Sequence, residues 1–141
     1  MQAKLGSAAL PAAILFVAIW APQGIAHHSF ASEFDAEQPV VLQGTITRME
    51  WINPHTWMHL DVDNDDGSVT PWMVEGGTPN TLFRRGITAE SVKAGTRITI
   101  HGFRARNGAY RANGRDLILP DGARLFMGSQ GTGAPGDEDI E

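Results

Sequence analysis

Three runs of strand-forming residues, one short helix and two further strands, in that chain order, predict a mainly β fold: a small, five-stranded OB-like barrel with the helix between strands 3 and 4. A glycine at the middle of the first run, where a barrel strand must coil, supports the same reading. So do 16 Gly and 8 Pro in 141 residues, which suit turns and strands better than a helical bundle.

The first 26 residues stand apart from that fold. Lys4 gives a short positive start, Ala8 to Ala21 is an uncharged apolar run, and Gly24-Ile25-Ala26 places small residues where a signal peptidase needs them. Spanning a bilayer takes about 20 apolar residues, and Pro11 and Pro22 bracket a shorter run. The expected product is an exported, periplasmic chain cleaved before His27, with no transmembrane anchor left. No twin-arginine pair is present, which implies export through the general route.

The expected domain then spans 27–127, and each element can be read in order. Val40 to Trp51 is rich in β-formers, and its apolar set changes phase from Leu42/Ile46 to Met49/Trp51. A phase change within one strand implies a bulge or bend, for which Gly44 is the natural place. Asn53-Pro54 turns the chain. His55 to Val62 then alternates, with Met58, Leu60 and Val62 on the core face and His55, Trp57, His59 and Asp61 on the other. Asp63 to Ser68 is a polar turn and Val69 to Glu75 the third strand. The acidic turn does not fit an EF-hand: counted from Asp61, position six is Asp66 rather than glycine and position twelve is Trp72 rather than glutamate.

Thr78 as cap, Pro79 at the first helical position, Leu82 and Phe83 as an apolar side and Gly86 as stop define the helix. A second short turn is expected from Thr88 to Lys93. Thr96 to Arg104 alternates around Ile98 and Ile100 as strand four, with His101 turned to the surface, Asn107-Gly108 turns the chain, and Tyr110 to Leu119 holds strand five. Pro120-Asp121-Gly122 is a tight turn before Arg124 to Met127. Residues 128–141, with repeated Gly and four acids, are expected to be a disordered acidic tail.

Charge is segregated along the expected mature chain of 115 residues: −8 over 27–83, +6 over 84–124 and −4 over 125–141. An exported and net acidic chain of this kind implies halves that complement each other, not a nucleic-acid footprint. The absence of cysteine excludes disulfides, thiolate metal sites and a cysteine nucleophile. No Gly-x-Ser-x-Gly elbow or phosphate-binding Gly-x-x-x-x-Gly-Lys occurs, so nothing here marks a nucleophilic or nucleotide-dependent enzyme.

The chain resembles a family of small secreted bacterial proteins of unknown function. The resemblance rests on His27-His28-Ser29-Phe30 at the mature start, Trp51-Ile52-Asn53-Pro54-His55-Thr56-Trp57, Arg84-Arg85-Gly86 and Leu119-Pro120-Asp121-Gly122. It implies an exported single domain and assigns no activity. In strand order the chain is also similar to periplasmic bacterial OB-fold proteins, which implies a binding module but transfers no residues.

Cleavage would expose His27 as an N-terminal residue with an α-amine and an imidazole together, followed by His28. Nitrogen donors so arranged suit Cu(II). His55, at a turn that an incoming terminus can reach, is the expected third ligand, which gives a metal set of His27, His28 and His55 with copper as cofactor. His55 and His59 lie four residues apart on one strand face, about 13 Å, too far to share an ion. His59 with Asp61 offers a second partial site or a carboxylate-oriented histidine. Strands 2 and 3 and the loop between strands 4 and 5 form the usual ligand face of an OB barrel. The expected ligand contacts there are Trp57, His59, Arg106, Tyr110 and Arg111, with Trp51 and Trp72 filling the core.

The leading expectation is an exported binding module for a small ligand that holds copper at its N-terminal histidine. Two alternatives stand beside it: a copper-dependent oxidoreductase acting on a substrate near Trp57, and a structural accessory subunit bound to an envelope protein.

Overall fold

The computed structural model describes residues 29–129 and 134–135. The expected leader at 1–26, His27, His28 and most of the expected tail at 128–141 lie outside the described residues. The chain is mainly β: α1 (Ser29–Glu33), β1 (Phe34–Glu50), β2 (Trp57–Asp63), β3 (Val69–Glu75), α2 (Pro79–Arg84), β4 (Arg97–Ala105), β5 (Arg111–Ile118) and β6 (Arg124–Phe126). Among the described residues no helix is long and apolar enough to cross a membrane.

Among the described residues the strand count is six, where the sequence predicts five. Arg124–Phe126 pairs antiparallel with β5, because the tight turn at Gly122 (φ 85°) folds the chain directly back on Leu119. The sheet runs in the order β3-β2-β1-β4-β5-β6, and β3 also pairs with β5 in parallel. That added pairing makes the hydrogen bonding of β1, β2, β3, β5 and β4 return on itself.

One long strand makes this possible. β1 pairs with β4 along 39–45 and with β2 along 44–50, so its two halves belong to different neighbours. Gly44 sits where these pairings overlap, and a Cβ there would strike the carbonyl of Asp61 and the Cα of Val62. The glycine is therefore needed for close approach. The bulge itself lies further on: Ile46 faces Leu60 and Arg48 faces His59, which leaves Thr47 as the extra residue. Past it the apolar set shifts from Leu42 and Ile46, both buried, to the half-buried Met49 and Trp51. The sequence signals the phase change, but its position depends on where β2 ends.

Inward residues from every long strand meet in one core, including Ile46, Met58, Leu60, Val74, Ile100 and Leu117, each at most 1% exposed. Trp72 joins them at 8% and Trp51 packs at the margin. Leu82 from α2 is fully buried, and Thr78 caps that helix by accepting a hydrogen bond from Thr81 N at 3.2 Å. Phe83 departs from expectation: it is 69% exposed, since a six-residue helix turns only one of two adjacent side chains inward. The acidic and basic stretches do meet, through Arg97–Asp63 at 2.7 Å, Arg111–Glu33 at 3.1 Å and Arg106–Asp35 at 3.9 Å. A second, smaller apolar cluster of Phe30, Phe34 and Ala105 lies outside the main core.

Gly44→Ala is expected to lower the free energy of unfolding by about 2–3 kcal/mol, because the obstacle to a methyl group is backbone and must move as a strand. Urea denaturation of the variant checks this; a loss below about 0.5 kcal/mol, the range of neutral surface changes, would mean β1 and β2 separate there at little cost.

Candidate functional site

The smaller apolar cluster bounds the site. On β2, β3 and β5, residues that point away from the core would meet water unless something covers them. Register places Trp57 beside Glu75, and Glu75 beside Asn113. α1 covers this row. Phe30 (4% exposed) and Phe34 (2%) pack with tilted rings whose centroids are 5.9 Å apart, and Phe30 meets Phe103 edge-on at 5.6 Å. Arg106 ties the helix down by donating Nε to Ala31 O at 2.8 Å, while its backbone N–H donates to Glu33 O at 2.9 Å.

Between helix and strands lies a cavity of about 210 Å³ whose walls include Phe30, Phe34, His55, Trp57, Glu75 and Arg111. It is the right scale for a small ion with its ligands or a few-atom ligand, and too small for a drug-sized molecule. The Arg111 guanidinium lies 5.0 Å from the Trp57 ring centroid and is held by Glu33 at 3.1 Å. A cation in this position is stabilised both by the ring face and by the carboxylate.

His55 is fixed through its neighbour. Thr56 is buried; its N–H and hydroxyl both donate to Gly77 O, and its carbonyl accepts from Gly76 N. The imidazole thus enters the cavity from a pinned backbone. Its Nδ1 is buried and stands 3.3 Å from Glu75 Oε1 without the alignment of a hydrogen bond, so among the described residues it has no hydrogen-bond partner. Glu75 itself is 9% exposed. Burial pushes its carboxyl above the ordinary range; His55 and Arg111 pull it back, and the nearby Glu33 adds to the rise. A buried carboxylate, an imidazole nitrogen without a hydrogen-bond partner among the described residues and a fixed guanidinium offer both acceptors and donors to a small polar group. Among the described residues, no three histidine or acidic side chains converge as a ready metal site.

The expected site residues separate into groups. His55, Trp57 and Arg111 share the cavity. Tyr110 instead packs edge-on against Trp72 at 5.4 Å, with Arg104 over both rings. Arg106 serves as a strap for α1. His59 has a carboxylate partner, but it is Glu50 across the β1–β2 pair at 2.8 Å and not Asp61, with Arg48 also bound to Glu50 at 2.6 Å. The Thr47 bulge shifts the pairing and brings Glu50 within reach. His101 is half-buried on β4. His27 and His28 lie outside the described residues.

Glu75, Asn113, Glu33 and the two phenylalanines were not among the expected site residues. Alternation does mark Glu75 as outward, next to inward Val74, but an outward glutamate reads as solvated when the covering helix is unknown. Phe30 carried the available signal: a large apolar residue just after two histidines, with no strand pattern around it. Elsewhere, Trp51, Pro79 and the exposed Phe83 line an apolar groove beside α2.

A family model described as a family of unknown function, DUF6152, matches residues 14–114, and the chain belongs to that family. Comparisons with curated proteins and with solved structures found no match.

The raised Glu75 pKa fixes the sign of a pH effect. The folded state binds this proton more tightly than the unfolded chain does, so the contribution to stability is fully present below the unfolded value near 4.5 and is lost as pH rises through the higher folded value. In chelator-treated protein, Glu75→Gln is expected to stabilise the fold at pH 7–8, with the gain shrinking as pH falls toward 4. Thermal melts across that range test it; a gain that grows at low pH would reverse the assignment.

Proposed function

We propose that this member of the DUF6152 family is an exported, periplasmic binding module of OB type, whose site is the cavity beneath α1 and whose ligand is copper held with the mature N-terminal histidine. The ring of pairings β1-β2-β3-β5-β4, with α2 between β3 and β4, is the connectivity of a five-stranded OB barrel, to which β6 adds an edge. The cavity lies on strands 2 and 3 of that ring, the face by which OB folds bind.

The observation that carries the reading is the position of Phe30. Its ring packs into the wall that His55 also lines, and three covalent steps back along the chain is His27. Three residues span at most about 11 Å. A terminus created before His27 therefore cannot lie far from the cavity, whatever path it takes. His27 offers an amine and an imidazole, His28 a second imidazole, and His55 a buried imidazole nitrogen that has no hydrogen-bond partner among the described residues. The donor set is nitrogen-rich, and no cysteine competes for the ion, which suits Cu(II) more than the hard divalent cations.

The test uses untagged protein recovered from the periplasm. Intact mass should correspond to a chain starting at His27, and Cu(II) titration should give a dissociation constant of about a micromolar or tighter. One extra residue placed before His27, or His27→Ala, should weaken binding at least about tenfold, the size of effect expected when a ligand set is disturbed. Equal binding by the extended protein would overturn the reading. Turnover of a reductant with oxygen by the copper-loaded protein would make it an oxidoreductase and not a binding module.

A further inference from the structure

We infer that the cavity beneath α1 binds a compact zwitterionic amino acid, its ammonium group held by Glu75 and its carboxylate by Arg111 and the Asn113 amide. The inference goes beyond the copper reading and does not rest on it, since it uses no metal and no residue before Phe30. Glu75 and Arg111 carry opposite charges on the walls of one cavity, yet they form no ion pair with each other. Arg111 instead gives Nη2 to Glu33 at 3.1 Å, although the Glu33 side chain is 53% exposed, and Glu75 has its Oε1 3.3 Å from His55 Nδ1. Each group is therefore engaged on one side only. Among the described residues Glu75 Oε2 and the Nε and Nη1 of Arg111 make no hydrogen bond.

Asn113 adds the third polar contact. It is 5% exposed, and its side-chain amide makes no hydrogen bond among the described residues, whereas buried amides are ordinarily satisfied. Register sets it directly beside Glu75 and two residues from Arg111 on the same strand face, about 6.6 Å along β5. The charges around the cavity select the class of ligand. Two acids, Glu33 and Glu75, face two basic side chains, His55 and Arg111. A purely anionic ligand would meet Glu75 and a purely cationic one Arg111, but a zwitterion presents each with its opposite. The aromatic walls limit its size. The Arg111 guanidinium lies 5.0 Å from the Trp57 ring centroid and 6.0 Å from that of Phe34, so it already occupies those ring faces. A cavity of about 210 Å³ then leaves room for glycine, alanine or serine and not for a large side chain.

The experiment is isothermal titration calorimetry on mature, untagged, chelator-treated protein with glycine, L-alanine and L-serine, and with acetate, methylammonium and L-phenylalanine as controls. At least one of the three small amino acids should bind with a dissociation constant of about a millimolar or tighter, within what so few atoms can supply. Each control should bind at least about tenfold more weakly, and Glu75→Gln, Arg111→Gln and Asn113→Ala should each lose at least about tenfold, the size of one charge-assisted hydrogen bond. No binding of the three amino acids, or acetate or methylammonium binding as tightly as they do, would overturn the inference. Should a variant not fold, ¹H–¹⁵N spectra of the native protein decide the same point: glycine-dependent shifts of the Asn113 side-chain amide and the Trp57 indole support it, and unmoved signals count against it. A Cu(II) titration of the same preparation separates the two readings. Amino-acid binding without copper binding removes only the copper reading, and copper binding without amino-acid binding removes only this one.

Discussion

The parallel pairing of β3 with β5 is the constraint on which the rest depends. Three residue pairs, Met73 with Arg111, Val74 with Ala112 and Glu75 with Asn113, join strands that are far apart in sequence. Inward, this pairing sets Val74 and Ala112, both fully buried, against each other in the core. Outward, it sets Glu75 beside Asn113 and brings Arg111 toward Trp57. The same hydrogen bonds thus complete the core and create a polar row on its outer face. Removing the pairing would expose the edges of two strands and scatter the row.

A polar row on an outer face is ordinarily left to water. Here α1 covers it, and the cover has its own small core in Phe30, Phe34 and Ala105. Aromatic contacts near 6 Å and the two hydrogen bonds joining Arg106 to α1 hold the cover in place. Glu75 consequently sits in an environment that disfavours its charge, and His55 Nδ1 is shut away from bulk solvent. Both features follow from five residues of helix. The site is produced by the lid as much as by the strands beneath it.

This explains what could be read from the sequence and what could not. The β character, the α2 cap at Thr78 and Pro79, and the inward set of Met58, Leu60 and Val62 depend on local pattern, and local pattern is visible along the chain. His55, Trp57 and Arg111 share a cavity because the strand ends on which they lie converge. The other expected contacts went elsewhere for reasons that only tertiary pairing supplies. His59 took Glu50 as partner because the Thr47 bulge shifted the register, and Tyr110 found Trp72, to which Arg104 adds a cation over both rings. The sixth strand was hidden by its length: three residues, Arg124–Phe126, carry too little alternation to declare themselves. Glu75 was hidden by alternation itself, which assigned it outward without saying that outward was covered.

The charge count also takes on a local meaning. Segregated acidic and basic stretches suggested that the two parts of the chain pair with each other, and three ion pairs join them. Exposed pairs of this kind add little to stability, so their value lies in position. Arg111–Glu33 draws the helix and β5 together at the cavity, while Arg106–Asp35 joins the end of β4 to the start of β1 beside it. Glu75, beside the Arg111 that holds Glu33, feels both that guanidinium and the imidazole of His55 at 3.3 Å. The cavity thus gathers one carboxylate, one imidazole and one guanidinium beneath the helix.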